Sequence, residues 1–182
     1  SGLGLACAQR LAQEGARVVL ADVAREAGER AAAEISGASF TYLDVTSEPA
    51  WEAVIGSIVA EHGRLDVLVN CAGVAEFASI EETTEAIWRR VNSVGTDGTF
   101  YGCKHALDAM KSKVSVSIIN MSSTASIQGG PKIFAYAASK SAIRGMTKSI
   151  ACLSTLEGYG IRCNSVHPGN MDTPMLRTMA AT

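Results

Sequence analysis

The chain of 182 residues carries a formal net charge of −2 and is 47% hydrophobic, yet only 5% of its residues are aromatic. This length allows one domain with a substantial core, and the composition suits α/β packing better than a disordered chain or a disulfide scaffold. The weak negative charge gives no sign of a nucleic-acid surface, and no apolar run approaches the ~20 residues that a membrane span needs.

The five cysteines and three histidines are scattered along the chain. The cysteine count is odd and no CxxC pair occurs, so we expect buried, reduced thiols and a cytoplasmic location. The isolated histidines argue against a metal site.

The chain opens on a glycine turn that leads into a helix. The glycines of Ser1-Gly2-Leu3-Gly4 stand before a helical run to about residue 14, and Gly-x-Gly before a helix resembles the end of a dinucleotide fingerprint. There a glycine lets the backbone approach a pyrophosphate, and the helix N-terminus supplies N–H donors. The alternative is a glycine turn that only caps the helix.

A buried parallel strand is predicted at residues 17–21, and Asp22 closes it. Asp22 lies eighteen residues after Gly4, near the spacing of the acidic residue that binds an adenosine ribose. A carboxylate there repels a 2′-phosphate, which favours NAD over NADP. The alternatives are that Asp22 caps the next helix and that the nearby Arg25 accommodates NADP.

Helices and short apolar strands alternate along the rest of the chain. Further strands are predicted at residues 39–43, 65–69, 114–121 and 161–166. Helices are predicted at 23–35, at 47–62, at 80–110 with interruptions at Gly95 and Gly98, at 133–156, and in a short segment that starts within 170–175. This alternation indicates βαβ units and a parallel sheet, and no linker or repeat divides residues 1–182.

Residues 122–140 carry the clearest chemical pattern. A hydroxyl cluster follows a buried strand, a Gly-Gly-Pro loop comes next, and Tyr136 and Lys140 share one face of the following helix. A neighbouring ammonium lowers the pKa of a phenol, ordinarily ~10, so that a tyrosine can exchange a proton with a substrate oxygen. The alternative is a half-buried aromatic residue beside a solvated lysine.

Five separated motifs agree in order and spacing. They are Gly2-x-Gly4, Asp22 after a strand, Asn70-Cys71-Ala72-Gly73, Ser123 with Tyr136-Ala137-Ala138-Ser139-Lys140, and Pro168-Gly169 with Thr173-Pro174. Together they resemble the short-chain dehydrogenase/reductase family over nearly the whole chain.

This resemblance implies a catalytic set. Ser123, thirteen residues before Tyr136, would hold the substrate oxygen, and Ser122 would not. Tyr136 would be the general acid/base, and Lys140 would bind the nicotinamide ribose and lower the pKa of Tyr136. Asn92 would complete a proton relay through water, although an amide inside a helix is more often a structural residue.

The same resemblance implies NAD as the cofactor. The residues expected to contact it are Gly2, Leu3 and Gly4 in the nucleotide loop, Asp22 at the ribose, Asp44 and Val45 at the adenine, Asn70, Ala72 and Gly73 beside it, and Tyr136, Lys140, Pro168, Gly169, Met171 and Thr173 around the nicotinamide end.

The implied fold is a Rossmann-type doubly wound parallel sheet in three layers, with strand order 3-2-1-4-5-6-7. We expect residues 1–182 to form a single dinucleotide-binding catalytic domain truncated at both ends, without the first, central strand and the C-terminal strand.

The motifs also differ from the family pattern in two places. Cys71 stands where the family usually has a second Asn, and about three extra residues between Asn92 and Phe100 must form a bulge or an added near-turn.

The leading functional hypothesis is hydride transfer between NAD(H) and a secondary alcohol or its ketone. The expected pocket is mostly apolar, which favours an alicyclic or steroid-like substrate; its expected members are Val74, Ile127, Gly129, Phe134, Met171 and Met175. The alternatives are a reductase of 3-oxoacyl carrier-protein substrates and a non-catalytic dinucleotide-binding scaffold. The helices at 80–110 and 133–156 resemble those of the family's tetramer interface, so we expect a homo-oligomer, either tetramer or dimer.

Overall fold

The computed structural model describes residues 1–180 and shows helices and strands in alternation. The strands are β1 Val18–Asp22, β2 Ala38–Tyr42, β3 Val67–Asn70, β4 Val116–Met121 and β5 Ile161–Val166. The α-helices are α1 Gly2–Gln13, α2 Arg25–Ala33, α3 Glu48–His62, α4 Glu85–Asn92, α5 Gly98–Met110, α6 Ala125–Gln128, α7 Phe134–Leu156 and α8 Pro174–Ala180, and a π-helix, Ser93–Asp97, joins α4 to α5.

The strands form two parallel sheets. One contains β1 and β2, and the other has the order β3-β4-β5. This is the parallel α/β class that the sequence predicts, and the Rossmann-type assignment is confirmed. Within residues 1–180, β1 and β3 are not paired with each other, which agrees with a family order that puts another strand between them.

Parallel pairing places the carboxyl ends of neighbouring strands side by side. Asn70 at the end of β3 lies opposite Asn120, and Met121 at the end of β4 lies opposite Val166. The segments that follow β3, β4 and β5 therefore emerge at one edge of the sheet, where open α/β folds bind ligands.

Two apolar clusters form the core of the described chain. The larger one packs α5 against β4 and β5, and its buried members are Cys103, Ala106, Met110, Val116, Ile118, Ile161 and Cys163. The smaller one contains Leu43, Trp51 and Ile55, and the Trp51 indole N–H donates to the Val45 carbonyl at 3.1 Å. The loop after β2 is thereby fixed to α3.

A buried chain of amides ties the strand ends together. Asn70 Nδ2 donates to Asn120 Oδ1 at 2.9 Å, and Asn120 Nδ2 donates to Thr147 Oγ1 of α7 at 3.0 Å. Asn120 is fully buried, so each of these groups depends on its protein partners. The network fixes β3, β4 and α7 relative to one another.

Some element boundaries differ from those predicted. The helix expected from residue 80 begins at Glu85, because residues 80–82 form a turn and Thr84 Oγ1 accepts the Ile87 N–H at 3.2 Å as a helix cap. The extra residues after Asn92 form the π-helix Ser93–Asp97, which confirms the expected local insertion. The short helix α6 was not predicted, and α8 begins at Pro174.

The helix α1 also begins earlier than predicted. The Gly-x-Gly motif lies inside its first turn, because Gly2 is already helical by hydrogen bonding and has a φ of +53°.

No helix within residues 1–180 meets the length and apolarity that a bilayer crossing requires.

Candidate active site

Ser123 and Tyr136 meet at the carboxyl end of β4. Ser123 is the second residue after the strand, and its Oγ accepts the Ala125 N–H at 3.1 Å, which helps to start α6. Tyr136 lies in the first turn of α7, where the Ser123 side chain is close enough to influence the acidity of its phenol. The two residues that the resemblance assigns to the substrate oxygen therefore lie near each other.

Burial dominates the acidity of Tyr136. It raises the pKa of the phenol, and the nearby Ser123 side chain only partly opposes this effect because it favours the phenolate. The lowered pKa that the resemblance implied is thus absent from this structure. The Lys140 ammonium lies over the ring, 5.6 Å from its centroid, and does not reverse the effect of burial.

Lys140 is buried beneath the loop that follows β3. Its Nζ donates to the Met121 carbonyl at 2.7 Å, and burial lowers its pKa to about 8. A Cβ on Gly73 would lie only 3.3 Å from this Nζ. The absence of a side chain at Gly73 therefore lets the loop approach the ammonium closely.

Ser122 has a different role from Ser123. Its Oγ donates to the Lys140 carbonyl at 2.8 Å and lies 3.2 Å from Ser126 Oγ. The side chain is only 2% exposed and anchors α7 to the end of β4. This geometry supports the choice of Ser123 over Ser122 for the substrate.

His167 lies against Ser123, although the sequence shows only three scattered histidines. Its Nδ1 lies 3.2 Å from the Ser123 carbonyl and 3.1 Å from Ser126 Oγ, while its Nε2 lies 2.9 Å from Ser165 Oγ. A carbonyl only accepts, so Nδ1 carries the hydrogen in this arrangement. Since His167 follows β5, parallel pairing of β4 with β5 was the signal that could have placed it beside Ser123.

Asn92 is the last residue of α4, and its side chain bonds within its own helical region. Its Nδ2 donates to the Trp88 carbonyl at 2.9 Å, and its Oδ1 accepts from Thr96 Oγ1 at 3.0 Å. Thr96 in turn lies 3.0 Å from Ser139 Oγ. The structure therefore connects Asn92 to α7 through Thr96, and not through a direct bond to Lys140 or Tyr136.

The first turn of α1 meets the segments that follow β3 and β5. A Cβ on Gly2 would lie 3.4 Å from Thr173 Cγ2, and one on Gly4 would lie 3.2 Å from the Cys71 Cβ. Ser1 provides no side-chain cap for this helix. The N–H groups of the first turn, which no side chain caps, are donors of the kind that bind a pyrophosphate, whereas the two glycines pack on protein atoms. Leu3 lies between these glycines.

The end of β1 supports both interpretations of Asp22. Its Oδ1 accepts the Ala24 N–H at 3.0 Å, so it holds the turn before α2, yet it remains exposed at the sheet edge. The Arg25 guanidinium lies over the Tyr42 ring, 4.4 Å from its centroid, and Tyr42 pairs with Asp22 across the sheet. A cation therefore also lies beside this strand end.

Asp44 and Val45 shape the loop after β2. Asp44 Oδ1 accepts from Thr46 N at 2.9 Å and from Thr46 Oγ1 at 2.7 Å, and these hydrogen bonds lower its pKa. Val45 packs closely against Gly98, where a Cβ would lie 3.0 Å away. Any contact with an adenine would therefore use the exposed side of this loop.

The remaining candidates divide into buried and exposed groups. The Asn70 Nδ2 donates to Asn120 Oδ1 and to Cys103 Sγ, so this side-chain donor is not free for a cofactor. Thr173 Oγ1 accepts the Leu176 N–H at 3.4 Å at the start of α8, and the Pro168 carbonyl accepts the Thr124 N–H at 3.0 Å. The exposed residues of this group are Ala72, Gly169 and Met171.

Exposed apolar side chains occur on α6, at the start of α7 and in the segment that follows β5. Ile127 is 62% exposed, Phe134 36%, Met171 47% and Met175 38%. Phe134 also stacks on Trp88 with ring centroids 5.9 Å apart. These residues include most of the predicted pocket members.

Comparison with known proteins identifies the family of the chain. The family model described as short chain dehydrogenase matches residues 1–182. The NADP-dependent (R)-specific alcohol dehydrogenase of Lentilactobacillus kefiri is 40% identical over 179 residues, which cover 96% of this chain and 71% of that protein.

Two other relatives act on cyclic substrates by name. Cyclopentanol dehydrogenase of Comamonas testosteroni is 40% identical over 178 residues, covering 96% of this chain and 70% of the relative. The 3-alpha-(or 20-beta)-hydroxysteroid dehydrogenase of Mycobacterium tuberculosis strain H37Rv is 39% identical over 175 residues, covering 96% and 66%. The resemblance inferred from the motifs is thus confirmed, and the chain belongs to the short-chain dehydrogenase family.

Proposed function

We propose that the protein transfers a hydride between NAD(H) and a secondary alcohol or its ketone, with Tyr136 as the general acid/base. The observation that carries this proposal is the placement of Tyr136 near Ser123 with the buried Lys140 ammonium 5.6 Å from its ring centroid. Membership of the short-chain dehydrogenase family supports the coarser conclusion that the protein is an oxidoreductase using a nicotinamide dinucleotide.

Each side chain of the site has a separate role in proton transfer. The nicotinamide ring, when bound, accepts or supplies the hydride. Tyr136 takes the hydroxyl proton during oxidation and returns a proton to the oxygen during reduction, while the Ser123 hydroxyl orients that oxygen. Lys140 stabilises the phenolate that forms on Tyr136 and binds the cofactor ribose, and Asn92 extends the relay towards solvent through water.

The cofactor is proposed to be NAD, held by the residues already placed around the strand ends. The exposed carboxylate of Asp22 disfavours a 2′-phosphate by charge repulsion. Arg25 supports the alternative, NADP, because its guanidinium lies over Tyr42, the strand neighbour of Asp22. The name of the Lentilactobacillus kefiri relative also favours testing NADP.

The substrate is proposed to be alicyclic or steroid-like. The exposed apolar surfaces of Ile127, Phe134 and Met175 suit a hydrocarbon ring better than a sugar, because burying them against apolar atoms is favourable. The cyclopentanol and hydroxysteroid dehydrogenases among the relatives support the same substrate class.

The proposed working form is a single-domain subunit in a cytoplasmic homo-oligomer, a tetramer or a dimer. The outer apolar residues Phe100 on α5 and Leu153 on α7 are 46% and 41% exposed, which supports a contact between copies. Light scattering during gel filtration measures the subunit number, and a monomer at micromolar concentration would contradict this part of the proposal.

The direct test is a substrate panel assayed with both cofactors. Cyclopentanol, cyclohexanol, a 3α-hydroxysteroid, 2-butanol and a sugar alcohol are each incubated with NAD⁺ or NADP⁺, and absorbance of the reduced cofactor is followed. We expect kcat/KM to be highest for a cyclic alcohol with NAD⁺. Faster turnover with NADP⁺ would contradict the role of Asp22, and turnover with neither cofactor would contradict the proposed activity.

A further inference from the structure

The π-helix Ser93–Asp97 carries a hydroxyl to which the proposed reaction assigns no task. Thr96 Oγ1 lies 3.0 Å from Asn92 Oδ1 and 3.0 Å from Ser139 Oγ. We propose that Thr96 is a positioning residue that orients the Asn92 amide and holds α7 at Ser139, the residue next to Lys140. This inference rests on the proposed function, in which Asn92 and Lys140 belong to one proton relay.

The chemistry of the groups fixes the direction of the hydrogen bonds. An amide oxygen only accepts, so the Thr96 hydroxyl donates to Asn92, and its own oxygen is left to accept from Ser139. Asn92 Nδ2 donates onward to the Trp88 carbonyl at 2.9 Å. Thr96 therefore sets which way the amide faces and joins α7 to α4 by a continuous chain of donors.

The π-helix is what brings Thr96 to α7. An inserted residue rotates the following side chains by about 100° around the helix axis. Gly95 packs so closely on α7 that a side chain there would collide with Ser139 Oγ, and Ser139 is only 1% exposed. The hydroxyl of Ser139 therefore lies in the close contact between α7 and the π-helix, where its hydrogen-bond partner is Thr96.

The attachment point lies next to the catalytic lysine. Ser139 immediately precedes Lys140, whose own carbonyl accepts from Ser122 at 2.8 Å. The backbone at Lys140 is therefore held from the β4 side by Ser122 and from the π-helix side by Thr96. Loss of the Thr96 hydroxyl frees the Asn92 amide and removes one of these two supports at the same time.

The test compares Thr96→Val with Thr96→Ser in the intact protein. Valine keeps the shape of threonine but lacks the hydroxyl, whereas serine keeps the hydroxyl. For Thr96→Val we expect kcat to fall about tenfold, the rate equivalent of one hydrogen bond, with KM for the cofactor within about twofold. The solvent deuterium isotope effect on kcat should rise, because the proton relay becomes slower, and Thr96→Ser should behave like the wild type.

Ser93→Ala is the matched control. It also removes a hydroxyl from the π-helix, but Ser93 Oγ bonds only to the Arg90 carbonyl, at 3.2 Å. We expect wild-type kcat and isotope effect for this variant. Ser139→Ala removes the support of α7 but keeps the Thr96–Asn92 bond, so its loss of kcat should be smaller than that of Thr96→Val, with no further loss in the double variant.

Hydrogen exchange of the cofactor-free protein tests the inference without turnover. Amides at 92–97 and 136–140 should exchange faster in Thr96→Val and in Ser139→Ala than in the wild type or Ser93→Ala. Unchanged exchange in both variants, or wild-type kcat in Thr96→Val, would overturn the role of Thr96. An inactive wild type would instead contradict the proposed function, and the exchange result would still decide the inference.

Discussion

Burial moves the two titratable groups of the site towards their neutral forms. It raises the pKa of Tyr136 and lowers the pKa of Lys140 to about 8. Tyr136 therefore rests as a neutral acid near neutral pH, ready to protonate a carbonyl oxygen, and Lys140 is close to losing its charge. Both shifts come from the desolvation of two side chains that the first part of α7 carries.

The buried charge of Lys140 makes a stability prediction. Its pKa is lower in the folded state than the ordinary 10.5, so the charged lysine costs stability below pH 8, and this cost disappears as the pH rises from about 8 to 10.5. We expect Lys140→Met to abolish turnover and to raise the free energy of unfolding at pH 7 by about 1–3 kcal/mol. Urea denaturation at pH 7 and pH 10 measures the difference, which should shrink at the higher pH.

Lys148→Met is the control for this prediction. It removes an exposed ammonium from the same helix and should leave both stability and activity nearly unchanged. A Lys140→Met protein that is less stable than the wild type at pH 7 would show that the bond from Nζ to the Met121 carbonyl outweighs the cost of burial.

His167 gives a second prediction for single residues. Its ring touches the Ser123 carbonyl and Ser126 Oγ, so His167→Ala should loosen the backbone that carries the Ser123 hydroxyl. We expect kcat to fall about tenfold with a smaller change in KM, because a misplaced hydroxyl weakens transition-state contacts. Steady-state kinetics checks this, with His62→Ala at the end of α3 as the control. Equal kinetics for the two variants would remove His167 from the site.

The elements around the site are held by a polar core that crosses β3, β4 and α7. Asn120→Ala removes the acceptor of Asn70 Nδ2 and the donor to Thr147 at once. Because these groups are buried, we expect a loss of about 2–4 kcal/mol in the free energy of unfolding. Urea denaturation measures it, and Asn164→Ala, an exposed amide on β5, should cost less than about 0.5 kcal/mol.

A double-mutant cycle sharpens this prediction. Once Asn120 is replaced, Asn70→Ala should cost little more, because its hydrogen bond is already lost. Additive losses for the two substitutions would show that the Asn70–Asn120 bond is not what couples β3 to β4.

Periodicity and apolar runs predicted every strand of the described chain, with ends that differ by one or two residues. The failures occur where the local pattern competes with specific hydrogen bonds. Residues 80–84 look helical, but Thr84 caps a helix that begins at Glu85. The helix α6 was missed because its start depends on the Ser123 side chain. The π-helix was foreseen as an insertion, whereas its contact with α7 needed the tertiary structure.

At the scale of the whole molecule, the site combines segments far apart in the chain. Gly2 lies against Thr173, Gly4 against Cys71, and Gly73 against Lys140. Motif spacing could predict which residues meet, because parallel strands end at one edge. It could not predict that Asn70 bonds to Asn120, which depends on the register between β3 and β4. The contact of His167 with Ser123 follows from the pairing of β4 with β5, to which motif spacing alone did not point.

The central claim is that Tyr136 transfers the proton, and replacement of its hydroxyl tests it most directly. Tyr136→Phe keeps the ring between Ser123 and Lys140, so cofactor binding measured by NADH fluorescence should remain within about threefold of the wild type. Tyr159→Phe is the control, since Tyr159 precedes β5 and lies at the opposite edge of the sheet. We expect kcat for oxidation of a cyclic alcohol to fall by about 10²–10⁴-fold in Tyr136→Phe and to stay unchanged in Tyr159→Phe. Undiminished kcat in a folded Tyr136→Phe protein that still binds NADH would contradict the central claim.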